Sequence, residues 1–192
     1  MKIGTLITCL LLPSLLLGQG SFSNNDWPQW RGPDRLGVWH NGPELDRLSS
    51  DMIQQIWSVE IGPGYNGPTV AEGRVYAMDY KKGVERVLCF SAEDGAELWS
   101  YAYPVNYSVG YPTGPRASVL IREGKAYSWG TMGHLFCFNA ATGEIIWKNN
   151  TLETYDIRLP IWGLASNPLI VGDHLIVQLG GDSGACVVAF QK

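Results

Sequence analysis

Apolar and polar positions alternate in short runs, each closed by a turn that carries glycine. Residues 68–71, 74–78, 86–90 and 97–101 form one such set, with turns at 72–73, 80–83 and 92–95. Short β-branched and aromatic runs bounded by Gly, Asn and Asp predict the strands of an antiparallel meander. The set recurs at 117–121, 125–130, 135–139 and 144–148. A third begins at 167–171, 174–179 and 185–190 and shows no fourth run before Lys192. No sustained helical period appears beyond the N-terminal segment, so helix is predicted to be scarce.

The sets also match in frame. CFSAEDGAELW at 89–99 and CFNAATGEIIW at 137–147 share Cys, Phe, Ala, Gly and Trp, and 188–192 repeats the lead-in. A strand-rich unit repeating every ~40–50 residues is the signature of a propeller blade. The predicted fold class is all-β: a partial β-propeller of four-stranded antiparallel blades. Gly95 and Gly143 fall where the turn before the fourth strand needs positive φ. Thr142 and Asp94 can close those turns with side-chain hydrogen bonds. Trp99 and Trp147 then lie in outer strands, where a buried indole fills the gap between neighbouring blades and needs one acceptor for its N–H.

On these residues the repeat resembles the tryptophan-docking motif of PQQ-like (quinoprotein-like) β-propellers, A-x-D-x-x-T-G-x-x-x-W. The second copy fits with Cys137 for Ala, Asn139 for Asp, then Thr142, Gly143 and Trp147. The first keeps Gly95 and Trp99 but has Cys89, Ser91 and Asp94 in place of Ala, Asp and Thr. WPQWRGP at 27–33 is similar to the lead of large exported bacterial members, as are 114–117 and 162–168. The resemblance implies a propeller of more blades than this sequence encodes, so the chain reads as an N-terminal fragment. Trp57, within 55–60, reads as an orphan outer strand, of the kind that completes the last blade of a ring. Alternatively that strand fills the third blade, or copies of the chain assemble; open blade faces would favour self-association.

Lys2, the apolar run 3–17 and the small residues Gly18 and Gly20 read as a secretory signal peptide cleaved after Gly20, with a retained anchor as the alternative. The domain reading is 1–20 signal peptide, 21–54 irregular N-terminal arm, and 55–192 about three propeller blades. The mature chain is expected to be exported, periplasmic or extracellular, with no transmembrane segment after cleavage. Cys89, Cys137 and Cys186 make an odd set with no C-x-x-C, which argues against a disulfide framework or a metal site. Net charge is −4, and the 14 basic residues are scattered. That distribution excludes nucleic acid as a partner on electrostatic grounds.

Candidate chemistry sits where loops enter the innermost strands, at 63–67, 111–116 and 161–167. Trp162 and Tyr65 offer faces for stacking, Arg116 can pair a carboxylate, and Asn66 and Asn167 can orient a planar polar ligand. The bland alternative is that these segments only start strands and Arg116 pins a carbonyl. The expected partner is a protein or a small molecule at this rim. The resemblance also admits an alternative, part of a PQQ-dependent (quinoprotein) alcohol dehydrogenase. That chemistry calls for PQQ, a Ca²⁺ on oxygen ligands, a carboxylate base and a vicinal disulfide. No Cys-Cys pair occurs, and Asp156, Asp173 and Asp182 stand apart from any calcium loop. No cofactor, metal ligand or catalytic residue is therefore assigned, and the primary expectation is a binding or assembly scaffold without intrinsic catalysis.

Overall fold

The computed structural model describes residues 25–40, 42, 46–47, 49–155, 157–181 and 184–192. The proposed signal peptide, Asp156 and Asp182 lie outside them. Three antiparallel sheets follow one another along the chain. The first contains β1 (Thr69–Ala71), β2 (Arg74–Lys81), β3 (Val84–Ser91) and β4 (Glu97–Pro104), in that spatial order. The second contains β5 (Leu120–Arg122), β6 (Lys125–Trp129), β7 (His134–Asn139) and β8 (Ile145–Asn150). The third has β9 (Leu169–Val171), β10 (His174–Gln178) and β11 (Val187–Gln191). Helix is limited among the described residues to a 3-10 turn, Ser50–Met52, and to α1 (Thr151–Tyr155).

Register follows from the repeat. Arg74 pairs with Ser91, Lys125 with Asn139 and His174 with Gln191, so the three sheets start their second hairpin at the same position. Both complete sheets carry a register shift just before the docking turn, between Cys89 and Phe90 and between Cys137 and Phe138. The bulge adds local twist and swings the turn toward the neighbouring blade. Gly95 and Gly143 have φ of 74° and 75°, as turn closure requires. Asp94 Oδ1 accepts from Ala96 N at 3.1 Å and Thr142 Oγ1 from Glu144 N at 3.3 Å.

Two apolar layers hold the sheets together. Tyr76, Met78, Val87, Cys89, Trp99 and Tyr103 of the first sheet pack on Ala126, Phe136 and Phe138 of the second. Tyr127, Trp129, Leu135 and Cys137, on the second sheet's other face, pack on Leu175 and Val177 of the third. Tryptophans link each layer to the next turn. Trp99 Nε1 donates to Ala140 O at 2.9 Å, and a Cβ on Gly143 would lie 2.6 Å from the Trp99 ring. Trp57 repeats this one blade earlier: its Nε1 donates to Ala92 O at 3.0 Å, and a Cβ on Gly95 would lie 2.8 Å from its ring. Trp147 stacks near Phe190 of β11, and its indole N–H is buried without a partner among the described residues.

Several sequence readings need correction. Residues 53–68 form no strand: the Trp57 indole docks on the first blade's turn, but the segment has no ladder partner among the described residues. β2 and β3 run on to Lys81 and back from Val84, so the loop expected at 80–83 is a two-residue turn at Lys82 and Gly83. In the arm, Trp30 and Trp39 are both about half exposed. Trp27 pairs antiparallel with Val70 at the inner edge of β1, and Pro28 O accepts from Ile121 N at 2.8 Å in β5. The arm thus staples the inner edges of the first two blades.

Candidate functional site

Chain direction places the docking turns on one rim and the connections into β1, β5 and β9 on the other. The second rim carries all five candidate ligand residues. Its centre is the segment between β4 and β5. Pro115 O accepts from Tyr65 N at 2.8 Å, which draws the entry to β1 against it. Ile161 O accepts from Gly110 N at 3.0 Å, which draws in the entry to β9.

The polar candidates are engaged with backbone. Asn66 Nδ2 donates to Met78 O at 2.7 Å while its Oδ1 accepts from Met78 N at 3.0 Å. Asn167 Oδ1 accepts from Ser118 N at 2.7 Å. The Arg116 guanidinium donates to Gly114 O and, at 2.9 Å, to Pro112 O, and sits 5.1 Å from the Tyr65 ring centroid. These three residues therefore fix the loop, and Arg116 keeps a cationic face over an aromatic ring. Gly64 and Gly114 permit the close approach: a Cβ on Gly114 would lie 2.8 Å from Pro63 O.

What the rim presents outward is mainly aromatic and apolar. Tyr65, Tyr111, Ile161 and Trp162 are each half exposed or more. Tyr111 and Trp162 meet edge-to-face at 5.3 Å. Sequence reasoning named Tyr65 and Trp162 but not Tyr111 or Ile161. Their signal was their place in the same Gly- and Pro-rich entries; the Gly110–Ile161 hydrogen bond and the Tyr111–Trp162 contact, which bring the two loops together, are visible only in the fold.

Below the rim lies a buried anchor that the sequence did not reveal. Glu85, fully buried in β3, accepts from Tyr103 Oη at 2.6 Å, from Tyr107 Oη and, at 3.3 Å, from Thr131 N. Burial, then the Glu85 carboxylate, push the Tyr103 and Tyr107 phenols well above their ordinary values. Both stay protonated donors at any physiological pH. Tyr107 Oη in turn accepts from Gly114 N at 3.1 Å, so the anchor reaches the rim loop itself.

Among the described residues no three His, Cys, Asp or Glu side chains come together to hold a metal ion. Cys89, Cys137 and Cys186 are free thiols, so no vicinal disulfide is present among them. No helix among the described residues is long and apolar enough to cross a membrane.

A repeat-built propeller segment with one aromatic rim is the class these features define. A family model described as outer membrane protein assembly factor BamB matches residues 85–191, more than half of the chain. The chain belongs to this family of PQQ-like repeat propellers. No curated protein sequence matches it. Among solved structures, quinohemoprotein alcohol dehydrogenase from Comamonas testosteroni aligns over 86% of this chain and 25% of that one, at 20% identity and a TM-score of 0.61. Quinohemoprotein alcohol dehydrogenase ADHIIG from Pseudomonas putida HK5 aligns over 88% and 25%, at 17% identity and a TM-score of 0.59. These likenesses concern fold. The chain spans about a quarter of the length of the two enzymes.

Proposed function

We propose that this chain is an exported propeller scaffold, without catalysis of its own, that binds an extended polypeptide segment along the rim of Tyr65, Tyr111, Ile161 and Trp162. The observation that carries the reading is a row of exposed aromatic and apolar side chains on loops whose Asn66, Arg116 and Asn167 side chains are already bonded to backbone. Such a surface loses little entropy on binding, and large aromatics beside an arginine are the residues that dominate protein interfaces. The family description, an outer membrane protein assembly factor, supports a protein partner and an exported location.

The test uses a strand-forming peptide rich in Tyr, Phe and Val. Trp162→Ala combined with Tyr111→Ala is expected to weaken its binding by about tenfold or more, the factor for ~1.4 kcal/mol, with the thermal midpoint unchanged. Undiminished binding by that variant overturns the rim as the site. Incubation with PQQ and Ca²⁺ addresses the dehydrogenase alternative. A bound-quinone spectrum with dye reduction would replace the scaffold reading.

A further inference from the structure

An open cavity of about 490 Å³ lies on the same rim, beside the Tyr65 loop. Its walls are Ile61 and Pro63 of the entry to β1, Tyr80 and Lys81 at the end of β2, Lys82 of the following turn, and Thr113 of the β4–β5 connection. It adjoins the aromatic rim directly. Pro63 O lies where a Cβ on Gly114 would come within 2.8 Å, and Tyr65 N donates to Pro115 O at 2.8 Å. The cavity and the Tyr65 ring therefore share the same two loops. Ile61, Tyr65, Lys81 and Lys82 are all exposed, so a partner reaches this surface without any rearrangement.

Charge at this end of the rim is one-sided. Lys81 and Lys82 form no ion pair among the described residues. The Arg116 guanidinium, over the Tyr65 ring, adds a third positive charge. The nearby buried acids are already engaged. Asp79 accepts from Arg86 Nε at 2.8 Å, and Glu85 accepts from Tyr103 and Tyr107. Glu60, exposed at the edge, is the one carboxylate that lines the cavity. The whole chain carries −4, so this local excess of positive charge runs against its background. Three cations are too few for a nucleic-acid backbone but suit one or two carboxylates.

We propose that the rim selects an extended segment with acidic residues at one end. The aromatic part of the segment lies on Tyr65, Tyr111 and Trp162, and its side-chain carboxylates sit in the cavity beside Lys81 and Lys82. Exposed Ile61 gives the methylene groups of those acidic side chains an apolar contact. This rests on the rim as a peptide-binding surface and adds to it a charge preference and a direction: the acidic end points to the first blade.

Two end-blocked peptides share one core of Tyr, Phe and Val and differ only at one terminus, Glu-Glu in one and Gln-Gln in the other. Each is titrated into the full chain at low salt. The Glu-Glu peptide is expected to bind about fivefold more tightly, the size of two exposed charge pairs, and the preference should disappear at about 1 M salt, where such pairs are screened. Lys81→Gln with Lys82→Gln, both at exposed positions, is expected to abolish the preference while the Gln-Gln peptide binds as before. Glu60→Gln is expected to increase it. Hydrogen exchange should show added protection at 80–83 with the Glu-Glu peptide and not with the Gln-Gln peptide. Equal binding of the two peptides to the unaltered chain, or a preference that survives loss of both lysines, overturns the proposal and leaves the rim as the binding surface. Binding of neither peptide overturns both.

Discussion

Trp99 belongs to the outer strand of the first blade, yet its hydrogen bond and nearest turn belong to the second. Truncating it to Ala empties a site between sheets and is expected to cost about 3–5 kcal/mol, measured by urea denaturation. The partner glycine is equally constrained. Gly143→Ala combines positive φ with a Cβ 2.6 Å from the indole, and about 3 kcal/mol is expected. Gly124 has φ of 71° but no atom within 4 Å, so Gly124→Ala should cost only about 1 kcal/mol. Equal costs would mean that docking contributes nothing beyond turn geometry. The cysteines make a second residue-scale case. Burial pushes the Cys89 and Cys137 thiols up to about 11, whereas Cys186 is exposed. A thiol reagent at neutral pH should label Cys186 in the folded chain and reach Cys89 and Cys137 only on unfolding. Because the folded values lie above the unfolded value of about 9, these thiols destabilise the fold as pH rises from 9 toward 11. Cys89→Ala with Cys137→Ala should make that alkaline fall shallower.

At the scale of elements, the connection between β4 and β5 depends on Glu85. Its carboxylate joins β3 to Tyr103 at the end of β4, to Tyr107 in the connection and to Thr131 N in the second blade. Glu85→Ala leaves two tyrosine hydroxyls without their acceptor, and a loss of about 2–4 kcal/mol is expected, with loosened rim loops visible as faster amide exchange near Gly114. A loss under about 0.5 kcal/mol, the ordinary range of surface substitutions, would show that the cluster is not an anchor. Nothing in the sequence announces this cluster, because Glu85, Tyr103, Tyr107 and Thr131 come from four separate segments and meet only through packing. The docking turns were legible because glycine, the side-chain acceptor and the tryptophan all lie within one short stretch. Strand limits were less so: 80–85 contains lysines and a glycine, yet pairing across the hairpin extends both strands through it. The stretch around Trp57 shows the converse. Its pattern is strand-like, but a strand also requires a backbone partner. The polar rim candidates were legible as a location, while the bonds that Asn66, Arg116 and Asn167 make to backbone depend on how the three entries fold together.

For the whole molecule, apolar side chains away from the rim also face outward. Ile53, Ile56, Val59 and Ile61 are exposed before the first sheet, and Leu169, Val171 and Val187 are exposed on the third. Apolar patches beside strand edges promote association, so sedimentation velocity on the 192-residue chain is expected to show concentration-dependent oligomers, reduced by Ile56→Lys with Val187→Lys. A monomer at all concentrations would contradict this. Hydrogen exchange of the full chain with and without the strand-forming peptide tests the rim as the binding surface most directly. Protection is predicted for the segments 64–67, 107–116 and 159–167 and for no docking turn. Protection confined to the edge of β11 or to the docking turns, or no protection with peptide bound, would contradict it.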